Sequence, residues 1–247
     1  MSILAGKTAI VTGASAGIGR ATVRALVESG ARVIASARRM DRLRELAAEL
    51  GMDRVSTVKA DASRPAEIDA LVDKALQIGN GNLDIVIANA GHGLAGGLLS
   101  SDRSRWETMY QLNVIGVAHL MRKSAEIMIR QQSGDIVALG SVVGVNISPF
   151  SGFYGSTKFA VTAMAEALRR EICQHKVRVS VIKPAIVESE FQQVAGYTYD
   201  NFGKSVAKFG KLLLPEDVAR AIVFMVSQPP HVHVNDLVIR PVGQDYP

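Results

Sequence analysis

Short apolar runs rich in β-branched residues recur along this chain with helical periods between them, and no other feature narrows the possible folds as far. The runs are 7–12, 32–37 (Arg-Val-Ile-Ala-Ser-Ala), 55–60, 83–88 (Leu-Asp-Ile-Val-Ile-Ala), 134–140, 177–183 and 235–240. They are nearly continuous in apolar residues, the pattern of strands covered on both faces. Helical periods occupy 17–29, 40–50, 65–78, 103–131, 153–174 and 215–227. Strand and helix in alternation predict an α/β fold, a doubly wound parallel β-sheet flanked by helices.

No repeat, low-complexity tract or Pro/Gly/Ser linker divides the 247 residues, and 48% hydrophobic content is enough for one substantial core. A single domain, 1–247, is expected. Within it 1–100 serves mainly as a cofactor-binding half, 101–183 as a catalytic half and 215–247 as a closing helix and strand. Residues 184–214 lack strand character but hold Phe191, Tyr197, Tyr199, Phe202 and Phe209, so they are expected to fold over a site as a substrate lid. The single cysteine cannot form an internal disulfide, the N-terminus lacks a signal peptide's apolar core, and no apolar run is long enough to span a membrane. A soluble cytoplasmic protein is the expectation. The net charge of +5 is interleaved, as in Arg42-Leu43-Arg44-Glu45, which argues against a nucleic-acid partner.

The first turn is unusual. Thr12-Gly13-Ala14-Ser15-Ala16-Gly17-Ile18-Gly19 stands between the run Thr8-Ala9-Ile10-Val11 and a helical period. Glycine costs backbone entropy and brings no side chain, so such density suits a place where a Cβ would obstruct. A glycine-rich turn after the first strand of a doubly wound sheet lets backbone approach a pyrophosphate, whose charge rests at the positive N-terminus of the next helix. Glycines also end strands for conformational reasons alone. Strand, turn and helix in this order favour the dinucleotide site and a Rossmann-type sheet.

The spacing Gly-x-x-x-Gly-x-Gly differs from the common Gly-x-Gly-x-x-Gly and resembles the short-chain dehydrogenase/reductase family. Further matches follow in order along nearly the whole chain. Asn89-Ala90-Gly91 follows the fourth strand, Asn113 lies in the long helix, Ser141 ends the fifth strand, and Tyr154-Gly155-Ser156-Thr157-Lys158 opens the next helix. The resemblance implies that Gly13, Gly17, Ile18 and Gly19 form the phosphate turn. It implies that Asp61 meets the adenine edge and that Asn89, with Ala90 and Gly91, lines the adenosine side of the pocket. Pro184-Ala185-Ile186-Val187-Glu188-Ser189 is similar to the family's Pro-Gly-x-Val-x-Thr, which gives Pro184, the Val187 backbone and the Ser189 hydroxyl to the nicotinamide end. Ala185 stands where the family has glycine.

About eighteen residues past Gly19, where a carboxylate would hold the adenosine ribose of NAD, the chain reads Ala37-Arg38-Arg39. An acid there would repel a 2′-phosphate, whereas Arg38 can pair with it through charge-assisted bonds. NADP(H) is the expected cofactor, with Arg38 the main contact and Ser15 or Arg39 assisting. The plainer alternative is a pair of exposed arginines opening a helix.

Hydride transfer to a carbonyl builds negative charge on oxygen, which requires a proton donor and a hydrogen bond aimed at that oxygen. Tyr154 and Lys158, four residues apart, share a helix face. A free phenol ionises near about pH 10, and a nearby ammonium together with a cationic nicotinamide is expected to lower that value. The resemblance makes Tyr154 the general acid in reduction and the base in oxidation. It has Lys158 also bind the nicotinamide ribose, Ser141 hold the substrate oxygen and Asn113 position a water linking Lys158 to solvent. Val143, His92 and Phe191 are expected along the substrate wall, although His92 reads equally as a loop histidine bonded to backbone.

His231 and His233 have no third ligand nearby, and no metal is expected. Cys173 reads as a small packing residue. The stretch 237–246, with Pro215-Glu216-Asp217-Val218-Ala219 and Pro229-Pro230-His231-Val232, resembles the NADP-dependent 3-hydroxy acid (serine-type) dehydrogenase branch, which implies a small hydroxy acid or its oxo form as substrate. A reductase of neutral ketones or aldehydes is the alternative, and a non-catalytic NADP(H)-binding regulator a remoter one. Lys204, Lys208 and Lys211, at helical spacing, either attract a carboxylate or form a solvated face. Trp106, Met109, Leu112, Val114, Val117, Leu120, Met121, Ile127 and Met128 give the 103–131 helix more apolar surface than one sheet face needs, so pairing across a two-fold axis, as a homotetramer or homodimer, is expected.

Overall fold

The computed structural model describes residues 2–246, with the side chains of Asn201, Phe202 and Ser205 outside the described set, so the expectation for Phe202 lies outside the described residues. Seven parallel strands, β1 (Thr8–Thr12), β2 (Arg32–Ala37), β3 (Val55–Lys59), β4 (Ile85–Ala88), β5 (Gly134–Leu139), β6 (Val177–Pro184) and β7 (Asp236–Ile239), form one sheet in the order β3-β2-β1-β4-β5-β6-β7. The order reverses between β1 and β4. The loops leaving these two strands therefore diverge and open a crevice at the C-terminal edge of the sheet.

Both faces are covered, which is why the central strands read as unbroken apolar runs. Val11, Ala35 and Ile87 face one side, packed with Leu26 of α1 (Gly17–Glu28), Leu43 and Leu46 of α2 (Met40–Leu50) and Ile222 near the C-terminus. Their neighbours Ile10, Ile34 and Val86 point the other way, as strand alternation requires. They meet Ile68 and Leu71 of α3 (Pro65–Ile78), together with Leu120 and Val161.

The 103–131 period is not one regular helix. A short 3-10 turn leads into α4 (Trp106–Tyr110), a π-helical segment spans Gln111–Gly116, and α5 (Val117–Gln131) follows. A π-helical stretch makes room for side chains that bond outside the helix, and Asn113 at its centre does so. Gly116 closes the segment against the loop after β3, where a Cβ would lie 1.9 Å from the Ala62 carbonyl oxygen. The chain continues through α6 (Gly152–Ile172), α7 (Phe191–Ala195), the short α8 (Lys204–Val206) and α9 (Pro215–Val226).

Three expectations are corrected here. Met109, Val114, Val117, Leu120, Met121, Ile127 and Met128 are buried within the chain itself, Leu112 is half-buried, and Trp106 stacks on Phe153. The helix is covered by its neighbours as well as by the sheet, so these residues offer little excess surface, and Ile115 and Phe159 are among the large apolar side chains exposed on these helices. Cys173 is exposed rather than packed, because it falls past the last turn of α6. Lys204, Lys208 and Lys211 do not share a helix, since α8 ends at Val206 and a 3-10 turn follows.

Candidate active site

The loops at the C-terminal ends of the strands enclose a cavity of about 870 Å³. At one end the glycine turn forms its floor. Gly13 (φ +67°) and Gly17 (φ +52°) hold left-handed backbone that a Cβ disfavours. Gly19 is required for a different reason, since a Cβ there would lie 2.4 Å from the Gly13 carbonyl oxygen and 2.5 Å from Asn89 Nδ2. Asn89 Nδ2 donates to the Thr12 carbonyl at 2.8 Å, while Thr12 Oγ1 accepts from the backbone N–H groups of Asn89 and Ala90. The β4 loop thus fastens the turn from below. α1 starts here with no side-chain cap and no acid in its first turn. Its free amides and positive end suit an anion, and the cradle fits a pyrophosphate.

Beyond the end of β2, Arg39 Nε donates to Ser15 Oγ at 3.1 Å and its Nη1 donates to Glu190 at 2.9 Å. Arg38 lines the same end of the cavity, exposed, with no hydrogen bond or ion pair among the described residues. Arg38, Arg39 and the Ser15 hydroxyl fit a phosphate monoester next to the pyrophosphate cradle, the Glu190 carboxylate being offset by its two arginine partners, Arg39 and Arg42. Asp61 also lines the cavity. Burial alone would raise its pKa, but the backbone N–H and hydroxyl of Ser63 and the charge of Arg38 outweigh that and hold the carboxyl below its ordinary value.

At the other end β5 runs into Ser141, which caps a 3-10 turn by accepting from the Val143 N–H at 3.3 Å. The turn packs tightly on α6, where a Cβ on Gly144 would meet the Lys158 backbone at 2.9 Å. Tyr154 and Lys158, one turn apart on α6, are both buried and face the cavity. Lys158 Nζ donates to the Leu139 carbonyl at 2.6 Å and sits 5.7 Å from the centre of the Tyr154 ring. Burial pushes Lys158 down to about 8. Burial also raises the Tyr154 phenol well above its ordinary value, with Tyr197 adding to the rise and a hydrogen bond from Ser141 opposing it. In the protein alone desolvation outweighs any help to the phenolate, so the lowering expected beside an ammonium and a cationic nicotinamide is a property of the oxidised complex.

Asn113 reaches this end indirectly. Its Oδ1 accepts from the His92 N–H at 3.0 Å, and its Nδ2 donates to the His92 carbonyl and to Thr157 Oγ1. The side-chain amide is committed to clamping the β4 loop to α6. His92 lines the cavity while its ring contacts the Gly93 carbonyl through Nδ1, so both readings of it describe the same residue. Burial lowers its pKa, with Gly93 opposing and the charges of Arg105 and Arg38 assisting. Phe191 of α7 lies 5.5 Å, tilted by 58°, from the Tyr154 ring, and Val143 adjoins them. Pro184, Val187 and Ser189 line the cavity between the two ends, and Gly91, Ala90 and Ile18 line it as well.

Several lining residues carry no motif that would reveal them. Tyr197 hydrogen-bonds Ser151 at the start of α6. Gln244 is buried and its Oε1 accepts from the Ile186 N–H at 3.3 Å, bringing the C-terminal segment to the cavity, where Asp245 and Tyr246 form part of the wall. Of the three lid lysines only Lys208 lines the cavity, 3.6 Å from Asp245. His233, away from the cavity, contacts Ser180 Oγ through Nε2.

A family model described as short chain dehydrogenase matches residues 7–199. An uncharacterized oxidoreductase of Staphylococcus aureus (strain MRSA252) is 33% identical over 242 residues, covering 98% of this chain and 100% of that protein. Among solved structures, the closed form of a serine dehydrogenase complexed with NADP+ aligns with a TM-score of 0.88 at 32% identity, covering 96% of each chain. A 3-ketoacyl-(acyl-carrier-protein) reductase from Brucella melitensis complexed with NADH aligns with a TM-score of 0.84 at 28% identity, covering 96% of this chain and 97% of that one.

Proposed function

This chain belongs to the short-chain dehydrogenase/reductase family, and we propose that within it the protein is an NADP(H)-dependent oxidoreductase interconverting a small hydroxy acid or secondary alcohol and its oxo compound. One observation carries the reading. Ser141, Tyr154 and Lys158 meet on the wall of a cavity whose opposite end holds a glycine cradle and an Arg38 with no ion-pair partner among the described residues.

The residues divide the work as follows. Gly13, Gly17, Ile18 and Gly19 receive the pyrophosphate, Arg38 with Arg39 and Ser15 the 2′-phosphate, Asp61 and the Asn89-Ala90-Gly91 loop the adenosine side, and Pro184, Val187 and Ser189 the nicotinamide end. Hydride would be supplied or accepted by the nicotinamide of the cofactor when it is bound. Ser141 donates a hydrogen bond to the substrate oxygen as charge builds there. Tyr154 gives its proton to that oxygen in reduction and takes it back in oxidation. Burial keeps the phenol protonated, the form needed for reduction. Lys158 has one ammonium proton on Leu139, leaving others for the cofactor ribose, and its charge favours the phenolate once formed. Asn113 holds the loop and helix in register, and a water between Lys158 and solvent completes proton return. The 184–214 segment acts as the lid.

Lys208 lines the cavity and would favour a carboxylated substrate that displaces its partner Asp245, and the apolar faces of Phe191, Val143 and Phe209 favour a neutral carbonyl compound as the second reading. Assays of carboxylated substrates against their neutral analogues, each with NADPH and NADH, separate the two; preference for NADH would overturn the cofactor assignment. Among the described residues no helix is long and apolar enough to cross a membrane, and a cytoplasmic location is part of the reading. Ile115, Phe159, Phe224 and Val238 are among the exposed apolar side chains that assembly into a homotetramer or homodimer could cover; a monomer by light scattering at micromolar concentration would count against it.

A further inference from the structure

Glu190 stands just after Ser189, at the N-terminal end of α7. Its carboxylate is divided between two arginines, Oε2 accepting from Arg39 Nη1 at 2.9 Å and Oε1 from Arg42 Nη1 at 2.6 Å. Arg39 precedes α2 and Arg42 lies in its first turn. One residue earlier, a Cβ on Gly17 would touch the Ser189 Cβ at 3.4 Å. Residues 188–190 therefore cross from the glycine turn to α2, and Ser15, Gly17, Arg39, Ser189 and Glu190 all line the cavity.

The rest of α7 is fastened elsewhere. The Ala95 N–H donates to the Ala195 carbonyl at 2.8 Å, and Arg105 Nη2 donates to the Val194 carbonyl at 3.1 Å. Glu190 is thus the tie at the end of α7 nearest the phosphate cradle. Its side chain and those of Arg39 and Arg42 are 36–45% exposed, within reach of water, which suits contacts that open and close more than contacts that hold a core. Arg38 takes no part in the pairing, and Arg39 turns its Nε to Ser15 and only its Nη1 to Glu190, so a phosphate monoester can be held on Arg38 beside Ser15 and Arg39 while Glu190 keeps Arg39 Nη1 and Arg42.

We infer that Glu190 is a positioning residue that clasps the lid over the dinucleotide site, its two ion pairs setting how fast the dinucleotide leaves. The inference rests on the cofactor reading above. The test preloads the full-length protein with NADPH, chases with excess NADP+ in a stopped-flow instrument and follows NADPH fluorescence. Glu190→Gln should release NADPH about threefold to tenfold faster, as expected for the loss of two partly exposed ion pairs. Glu49→Gln removes a carboxylate held by Arg20 and Arg24 on the outer helices and should leave release unchanged. The gap between wild type and Glu190→Gln should also narrow as salt rises, because screening weakens the clasp. An unchanged or slower release in Glu190→Gln, an equal acceleration in Glu49→Gln, or a gap indifferent to salt would overturn the inference. If the wild type binds NADH in place of NADPH, the cofactor reading fails, and the same chase with NADH still judges the clasp.

Discussion

Lys158 Nζ lies 5.7 Å from the centre of the Tyr154 ring while donating to the Leu139 carbonyl at 2.6 Å. The lysine is thus anchored to the end of β5, the strand that delivers Ser141, and the acid, its neighbouring charge and the substrate-binding hydroxyl are held by one junction of β5 and α6. Burial acts on both titrating groups, lowering Lys158 to about 8 and raising Tyr154. It disfavours charge on each of them until something in the cavity compensates.

Tyr154→Phe keeps the ring and its contact with Phe191 but removes the proton. Turnover should fall by roughly 10²- to 10⁴-fold, the usual contribution of a general acid. NADPH affinity, measured by fluorescence titration, should stay within about twofold, since the phenol accounts for little of the cofactor contact. Normal turnover would remove Tyr154 from its assigned role.

Lys158 provides a test of burial through pH. Its folded pKa of about 8 lies below the ordinary 10.5, so between these values the unfolded chain binds the extra proton and stability rises with pH. Below about pH 8 the full penalty is present. The Tyr154 shift has the opposite sign above its ordinary 10.0, because there the unfolded chain loses a proton that the folded one keeps. Denaturant melts of the cofactor-free protein should therefore gain stability from pH 8 to pH 10, by roughly 2 kcal/mol, relative to Lys158→Met. Parallel profiles for the two proteins would contradict the burial account.

Arg38→Ala should weaken NADPH binding by about 10- to 100-fold, the range for a hydrogen-bonded charge pair. NADH binding should change little, because it has no phosphate for Arg38 to meet. Isothermal titration with both cofactors reads the difference, and equal losses for the two would point to a damaged fold.

Gly19→Ala places a methyl group against the Gly13 carbonyl and the Asn89 amide. Relief requires the cradle to move, at a cost of about 1–3 kcal/mol for an overpacked site. Thermal melts should show the loss, and NADPH binding should fall with it. A variant as stable as wild type with full affinity would show that the turn does not need the close approach.

The strands, the helices and the glycine turn were legible in the sequence because each depends on near neighbours. Apolar continuity marks a strand covered on both faces, and a residue without Cβ marks a backbone conformation. Tyr154 and Lys158 were legible for the same reason, since four residues on a helix put them on one face whatever surrounds it. Asn113 was legible as a position, but the commitment of its amide to His92 and Thr157 was not, because those bonds span 21 and 44 residues. Nor was the break of the 103–131 helix into a π-helical segment around it.

Sequence by itself determined the α/β alternation, the order of the motifs and the residue types that meet the chemistry. Tertiary structure alone decided which side chains those motifs meet. Folding brought Glu190 to Arg39 across 151 residues and Gln244 to Ile186 across 58, and neither pair carries a local signal. It also decided the direction of the Tyr154 shift, since desolvation depends on what packs around a phenol in space, and periodicity along the chain records only the face it occupies.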